Sequence, residues 1–151
     1  MANEYDEIVR REIVTTRVLD APREMVFASW TDPEQLKVWW GPHGFTNTFH
    51  HFDMKPGGAW RYTMHGPDGT NYENEMEFVE ISEARIVIDH LTPPRFRLTV
   101  LLEELGDRTK ITFRQLFETA AVRDQIQRRA MQGNEENLER LANFVNKKQV
   151  A

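Results

Sequence analysis

The sequence predicts an α+β fold in which a curved antiparallel sheet of six to seven strands wraps around a long C-terminal helix. Three features lead to this prediction: two short helical patterns follow the first strand, turn-separated strands occupy residues 45–117, and one long helical pattern ends the chain. Strands spaced this closely leave no room for crossover helices, so neighbouring strands should run antiparallel.

The first 41 residues predict one strand and two short helices. β-branched residues dominate 8–19 and predict a long first strand. The strand ends at Asp20-Ala21-Pro22, where Pro22 suits the first position of a helix over about 22–31. A second helix begins at Asp32, a capping residue followed three positions later by Gln35, and ends at Gly41.

Turn residues then divide the middle of the chain into six strands, with breaks such as Pro56-Gly57-Gly58 and Pro67-Asp68-Gly69. The predicted strands lie near 45–54, 59–65, 71–81, 85–91, 95–104 and 108–117. In the third of these, Met76 and Phe78 alternate with glutamates, which predicts one buried face and one solvated face. The register of 45–54 is ambiguous, because aromatic residues fall on both of its faces.

The final segment, from 119 to about 148, is the element that can cover the apolar face. As a helix it would be about 45 Å long, and Leu138, Leu141 and Val145 repeat at helical spacing in its second half. Gly133 interrupts the pattern and predicts a bend.

Composition limits the classes of function. The chain has 151 residues, which fits one domain over 1–151, and a net charge of −5, which argues against nucleic-acid binding. It has no cysteine, and its five histidines are not spaced as metal ligands, so we predict no metal, no cofactor and no catalytic residue. The absence of a membrane-length apolar run predicts no membrane insertion and a cytoplasmic location.

Polar side chains on the apolar strand faces indicate a cavity rather than a solid core. Asn74, His90 and Gln115 would each cost about 1–3 kcal/mol if buried without a hydrogen-bond partner. A structural water or a backbone partner explains any one of them equally well, and core packing is the alternative for the aromatic residues. The predicted ligand-binding residues are Trp39, Trp60, Tyr62, Met64, Asn74, Met76, Phe78, His90, Phe96, Leu98, Phe113, Gln115, Leu138 and Leu141.

Two motifs that occur in order along the chain extend the prediction to a family. They are TRVLDAPREMVFASWTDPEQLKVWWGPHGFT and FDMKPGGAWRYTMHGPDG. They resemble the activator of heat-shock-protein-90 ATPase homologue-like family of the START-like superfamily, which also contains polyketide cyclases and the birch-pollen allergen. The resemblance implies a helix-grip fold. Many relatives carry Gly-Trp in the last helix where this chain has Gly133-Asn134, so the pocket mouth should be wider or wetter.

The resemblance leaves three functions open, because the superfamily uses one scaffold for many roles. The first is binding of a small apolar or aromatic molecule between the sheet and the last helix, in a carrier, sequestration or resistance role. The second is a cyclase or hydratase that uses the same cavity, with His90, Asn74 and Tyr62 for proton transfer or orientation. The third is regulation of a heat-shock-protein-90 ATPase as a chaperone partner. A homodimer is compatible with each.

Overall fold

Seven antiparallel strands form one sheet in the order β1-β7-β6-β5-β4-β3-β2, so that the first strand of the chain pairs with the last. The computed structural model describes residues 3–150. Its elements are α1 Glu4–Arg11, β1 Glu12–Leu19, α2 Arg23–Thr31, α3 Pro33–Trp39, β2 Thr46–Phe52, β3 Ala59–His65, β4 Asn71–Ile81, β5 Arg85–His90, β6 Phe96–Leu105, β7 Arg108–Phe117 and α4 Ala120–Val150. Helix α4 packs on the sheet at β1 and β7 and contacts the three shorter helices. The predicted helix-grip fold is confirmed.

The N-terminal prediction needs a correction, because residues 8–11 belong to helix α1 and not to the first strand. Asn3 caps this helix by accepting a hydrogen bond from the Asp6 backbone N–H at 2.8 Å. The first turn is acidic and the last turn carries Arg10 and Arg11, an arrangement that complements the helix dipole. These terminal signals outweigh the β-branched residues that predicted a strand.

A β-bulge resolves the ambiguity of β2. The pairing of β2 with β3 shifts register between Phe49 and His51, so that one extra residue is inserted into β2. Phe49 and Phe52 therefore both pack against the core, although they are three positions apart.

The alternation in β4 is confirmed where it was clearest. Met76 and Phe78 are 2% and 1% exposed, whereas Glu75 and Glu77 are exposed. The predicted interruption of the last helix is wrong, because α4 continues through Gly133. A glycine costs a helix only about 1 kcal/mol, which the packing of a long helix on a sheet can offset.

Aromatic residues fill the core at one end of α4. Trp30 lies 4.9 Å from Trp39 and 5.4 Å from Trp40 between ring centroids, in edge-to-face geometry. Leu138, Leu141 and Val145 of α4 are completely buried against this group. Across the described range, no helix has the length and apolar character needed to cross a membrane.

Candidate functional site

A cavity of about 430 Å³ lies between the inner face of the sheet and the middle of α4. We call it the grip cavity. The sheet and its loops contribute Tyr62, Met64, Asn74, Met76, His90, Pro94 and Phe96, the loop after α3 contributes Trp40, Gly41 and Pro42, and α4 contributes Ile126, Arg129, Ala130, Gly133, Asn134 and Asn137.

Small side chains on α4 leave this space open. Ala130 and Gly133 face the sheet one turn apart, and a Cβ added to Gly133 would meet only Pro42 Cγ, at 3.7 Å. Leu138, one turn after the cavity-lining Asn134 on the same side of the helix, is completely buried. The volume of the helix side chains therefore determines where the core ends and the cavity begins.

The loop after α3 is fixed to α4 by Arg140. The two hydrogens of its Nη1 are shared among the carbonyl oxygens of Trp40, Gly41 and Pro42, which lie 2.9–3.1 Å away, and its Nη2 donates to Val38 O at 2.8 Å. The Val38 carbonyl lies in the last turn of α3, where intrahelical donors run out, and the other three carbonyls belong to the residues that follow the helix. Arg140 thereby holds Trp40 and Pro42 in place at the cavity wall.

Gly41 allows this loop to approach closely. Its φ of 103° is a conformation that L side chains rarely adopt, and an added Cβ would lie 2.7 Å from Met64 Cε. Its backbone N–H donates to Asn137 Oδ1 on α4 at 3.1 Å.

Tyr62 presents a buried hydroxyl to the cavity. The hydroxyl accepts a hydrogen bond from Trp40 Nε1 at 3.1 Å, and its own proton is directed at Met76 Sδ, 4.0 Å away. Burial raises the pKa of Tyr62 well above its ordinary value, an effect that the Trp40 hydrogen bond opposes only in part. The hydroxyl is therefore neutral and available as a donor.

His90 forms a polar pair with Asn74 in the opposite wall. His90 Nε2 lies 2.9 Å from Asn74 Oδ1, and Nδ1 lies 3.1 Å from Pro94 O. The imidazole stacks on Phe96 with 4.5 Å between ring centroids. Burial lowers the pKa of His90, while backbone hydrogen bonds at Pro94 and Thr92 act in the opposite direction.

Gln115, the third polar residue predicted for the site, has a protein partner. Its Oε1 accepts a hydrogen bond from Asn134 Nδ2 at 2.7 Å, and Asn134 also contacts Thr15 Oγ1 at 3.4 Å. Asn134 joins α4 to β7 and β1 while lining the cavity.

The structure brings six of the predicted residues to the cavity: Tyr62, Met64, Asn74, Met76, His90 and Phe96. The other eight pack outside its wall: Trp39, Trp60, Phe78, Leu98, Phe113, Gln115, Leu138 and Leu141. Trp39 is the clearest correction, because its Nε1 donates to Ser29 O in the core at 3.1 Å and its neighbour Trp40 faces the cavity instead.

Sequence reasoning missed the contribution of α4 and of the loop after α3. Of the helix positions that it proposed, none lies in the cavity wall, whereas Ile126, Arg129, Ala130, Gly133, Asn134 and Asn137 do. Gly41-Pro42 was a usable signal, since a turn that directly follows two adjacent indoles places one of them against another element. The face that α4 presents could not be obtained from its first half, where the apolar pattern is weak.

The other cavities have more polar walls. One of about 300 Å³ at the ends of β5 and β6 includes Arg95 and the ion-paired Arg97 and Asp89. Another of about 410 Å³ is bordered by His50, Arg61 and the outward glutamates of β4. Within residues 3–150, no three histidine or carboxylate side chains converge in a way that could hold a metal ion.

The sheet, the gripped helix and the cavity between them define a helix-grip protein of the START-like class. The sequence model of the family described as activator of Hsp90 ATPase homolog 1-like protein matches residues 20–146. The chain belongs to this family. No curated protein matches it.

Solved structures show the same fold. The chain is similar to a crystal structure of a protein from Nitrosomonas europaea, with a TM-score of 0.85, 20% identity and coverage of 94% of this chain and 98% of that one. A solution structure from Arthrobacter aurescens gives a TM-score of 0.85 at 27% identity, covering 93% and 89%. The protein from Silicibacter pomeroyi that carries the family's name gives 0.73 at 19% identity, covering 91% and 99%.

Proposed function

We propose that this protein binds a small apolar or aromatic molecule in the grip cavity. The observation that carries the proposal is the cavity itself: about 430 Å³, within the range of roughly 300–1,000 Å³ of ordinary ligand sites. Its wall combines apolar surface from Met64, Met76 and Phe96 with a few polar groups. A flexible thioether adapts to ligands of different shape, so a carrier or sequestration role suits this wall.

The geometry favours binding over catalysis. A general base needs a free nitrogen or oxygen within reach of a substrate proton. Both ring nitrogens of His90 are within hydrogen-bond distance of protein oxygens, those of Asn74 and Pro94. The Tyr62 hydroxyl is held neutral by burial. These groups suit orientation of a ligand better than proton transfer.

The test is binding of N-phenyl-1-naphthylamine, an uncharged apolar aromatic dye, followed by its fluorescence and by the melting temperature. Binding to the folded state alone raises the melting temperature by mass action. A panel of fatty acids, flavonoids and polyketides then competes with the dye. We expect the wild-type chain to bind the dye and at least one class of competitor to displace it.

Gly133→Leu supplies the site-directed control, because the leucine side chain would project into the grip cavity from a helical position with room for a Cβ. We expect this variant to lose dye binding while retaining its far-ultraviolet circular dichroism. Gln125→Leu, on an exposed part of the same helix, should bind as the wild type does. Unchanged binding in Gly133→Leu, or no binding of the dye or panel by the wild type, would contradict the proposal.

A further inference from the structure

Two hydrogen-bond donors in the wall of the grip cavity, both on buried residues, lack a good acceptor. Asn137 is 6% exposed, and its Oδ1 accepts from Gly41 N, whereas its Nδ2 has no hydrogen-bond partner within residues 3–150. The Tyr62 hydroxyl accepts from Trp40, and its proton meets only the Met76 thioether at 4.0 Å. A thioether is a weak acceptor. An oxygen atom of a ligand would satisfy either donor.

Arg129 is the one charged side chain among the cavity-lining residues that the structure describes. It is exposed, so it lies at the mouth, and it forms no ion pair with any residue of the range 3–150. A guanidinium is a planar, permanently charged group whose paired N–H donors match a carboxylate. The mouth therefore presents a free cation on a chain whose net charge is −5.

Free acceptors are fewer than free donors in this wall. Asn134 Oδ1 is one side-chain acceptor without a partner in the described part of the chain. The Nδ2 of the same amide donates to Gln115. Asn74 Oδ1 is already within hydrogen-bond distance of His90. The wall contains no carboxylate. A ligand that is rich in acceptors and negatively charged complements this pattern.

The spacing along α4 places these groups at two ends of an apolar floor. Arg129 and Asn137 are eight residues apart, which is about 12 Å along the helix axis, and Ala130 and Gly133 lie between them. We propose that the ligand is an organic acid with an apolar or aromatic body. Its carboxylate pairs with Arg129, its body lies over Ala130 and Gly133, and an acceptor oxygen reaches Tyr62 and Asn137. This inference rests on the proposed binding function.

The test is displacement of N-phenyl-1-naphthylamine by three matched compounds: 4-benzoylbenzoate, its methyl ester, and 4-benzylbenzoate. The ester removes the charge, and the benzyl compound removes the ketone oxygen. We expect the acid to displace the dye at about tenfold lower concentration than the ester, a ratio that corresponds to about 1.4 kcal/mol. We expect the benzyl compound to be about fivefold weaker than the benzoyl acid, as for loss of one hydrogen bond.

Arg129→Gln should abolish the advantage of the acid over the ester, with both compounds measured relative to that variant's own affinity for the dye. Arg128→Gln is the matched control, because Arg128 is exposed on the same turn but does not line the cavity. Its acid-to-ester ratio should stay at the wild-type value. Equal affinity of the wild type for acid and ester would overturn the inference about Arg129. So would an equal loss of the acid's advantage over the ester in Arg129→Gln and Arg128→Gln. Equal affinity for the benzyl and benzoyl acids would overturn the contact with Tyr62 and Asn137. Failure of the wild type to bind the dye would instead refute the proposed function.

Discussion

The two halves of the space between sheet and α4 differ in how they are filled. In the half next to α2 and α3, Leu138, Leu141 and Val145 are completely buried among tryptophans. In the other half, the helix presents Ala130 and Gly133, and a cavity of about 430 Å³ remains. The same sheet and the same helix therefore form a close-packed core and a container within one fold.

This difference shows that side-chain volume on the helix decides between core and cavity. The sheet presents large side chains to both halves: Phe78 to the filled one, and Phe96 and Met64 to the open one. Protein interiors pack to nearly crystalline density where volume allows. The open half stays open because a glycine, an alanine and two asparagines replace leucine-sized residues on the helix face.

The largest expected effect is on Phe78, in the filled half. Phe78 is 1% exposed and lies parallel to Trp60 with 6.0 Å between ring centroids. Phe78→Ala should lower the free energy of unfolding by about 3–5 kcal/mol, measured by denaturant titration. Tyr72 lies on the same face of β4 but is 47% exposed, and Tyr72→Ala should change the free energy by only about 0.5 kcal/mol. A cost below about 1 kcal/mol for Phe78→Ala would contradict the close-packed description.

A pair of substitutions on α4 compares the two halves directly. Leu141→Ala removes a completely buried side chain and should cost about 2–5 kcal/mol. Ile126→Ala removes a half-buried side chain that already borders empty space, and should cost about 1 kcal/mol. Both are measured by the same denaturant titration. Equal costs would mean that the open half is packed as tightly as the filled one.

The smallest expected effect is a pH dependence that arises in the open half. Burial lowers the folded-state pKa of His90 below its ordinary value of 6.5, so the unfolded chain binds this proton more tightly. His90 therefore contributes stability that is complete above pH 6.5 and decreases as pH falls through 6.5 toward the folded-state pKa. The measurement is the free energy of unfolding at a series of pH values between about 5 and 7.5.

His90→Gln should flatten this pH profile relative to the wild type. His51→Gln is the matched control, because it makes the same substitution at an exposed histidine, and the two variant profiles are compared directly. A slope that persists in His90→Gln would assign the effect to other groups.

Local patterns predicted most of the sheet. The bounds of β3, β4 and β7 match the predicted ranges 59–65, 71–81 and 108–117, because alternation and turn residues act within a few positions of each other. The strand prediction for 8–11 failed because β-branched residues favour a strand there while the charges favour a helix terminus. A single sequence does not show which of the two preferences is stronger. The register of β2 depended on a bulge that forms only against β3.

The candidate site was predictable on the sheet side and not on the helix side. Tyr62, Asn74, Met76 and His90 follow from strand alternation, which fixes their face once the core is known. The same rule cannot separate Phe78 from Met76, which share that face but lie in different halves of the interior. Arg140 gave no signal, because its contacts are to backbone carbonyls about 100 positions away in the chain.

The sequence by itself determined the fold class, the order of the strands along the chain, and the family, because these depend on local periodicity, turn chemistry and ordered motifs. Only the tertiary structure decided which of two adjacent indoles faces the cavity and which turn of α4 covers it. A helix side chain faces its partner according to rotation about the helix axis, and that rotation is set by long-range packing against the sheet. The position of the grip cavity therefore depends on how α4 packs against the sheet.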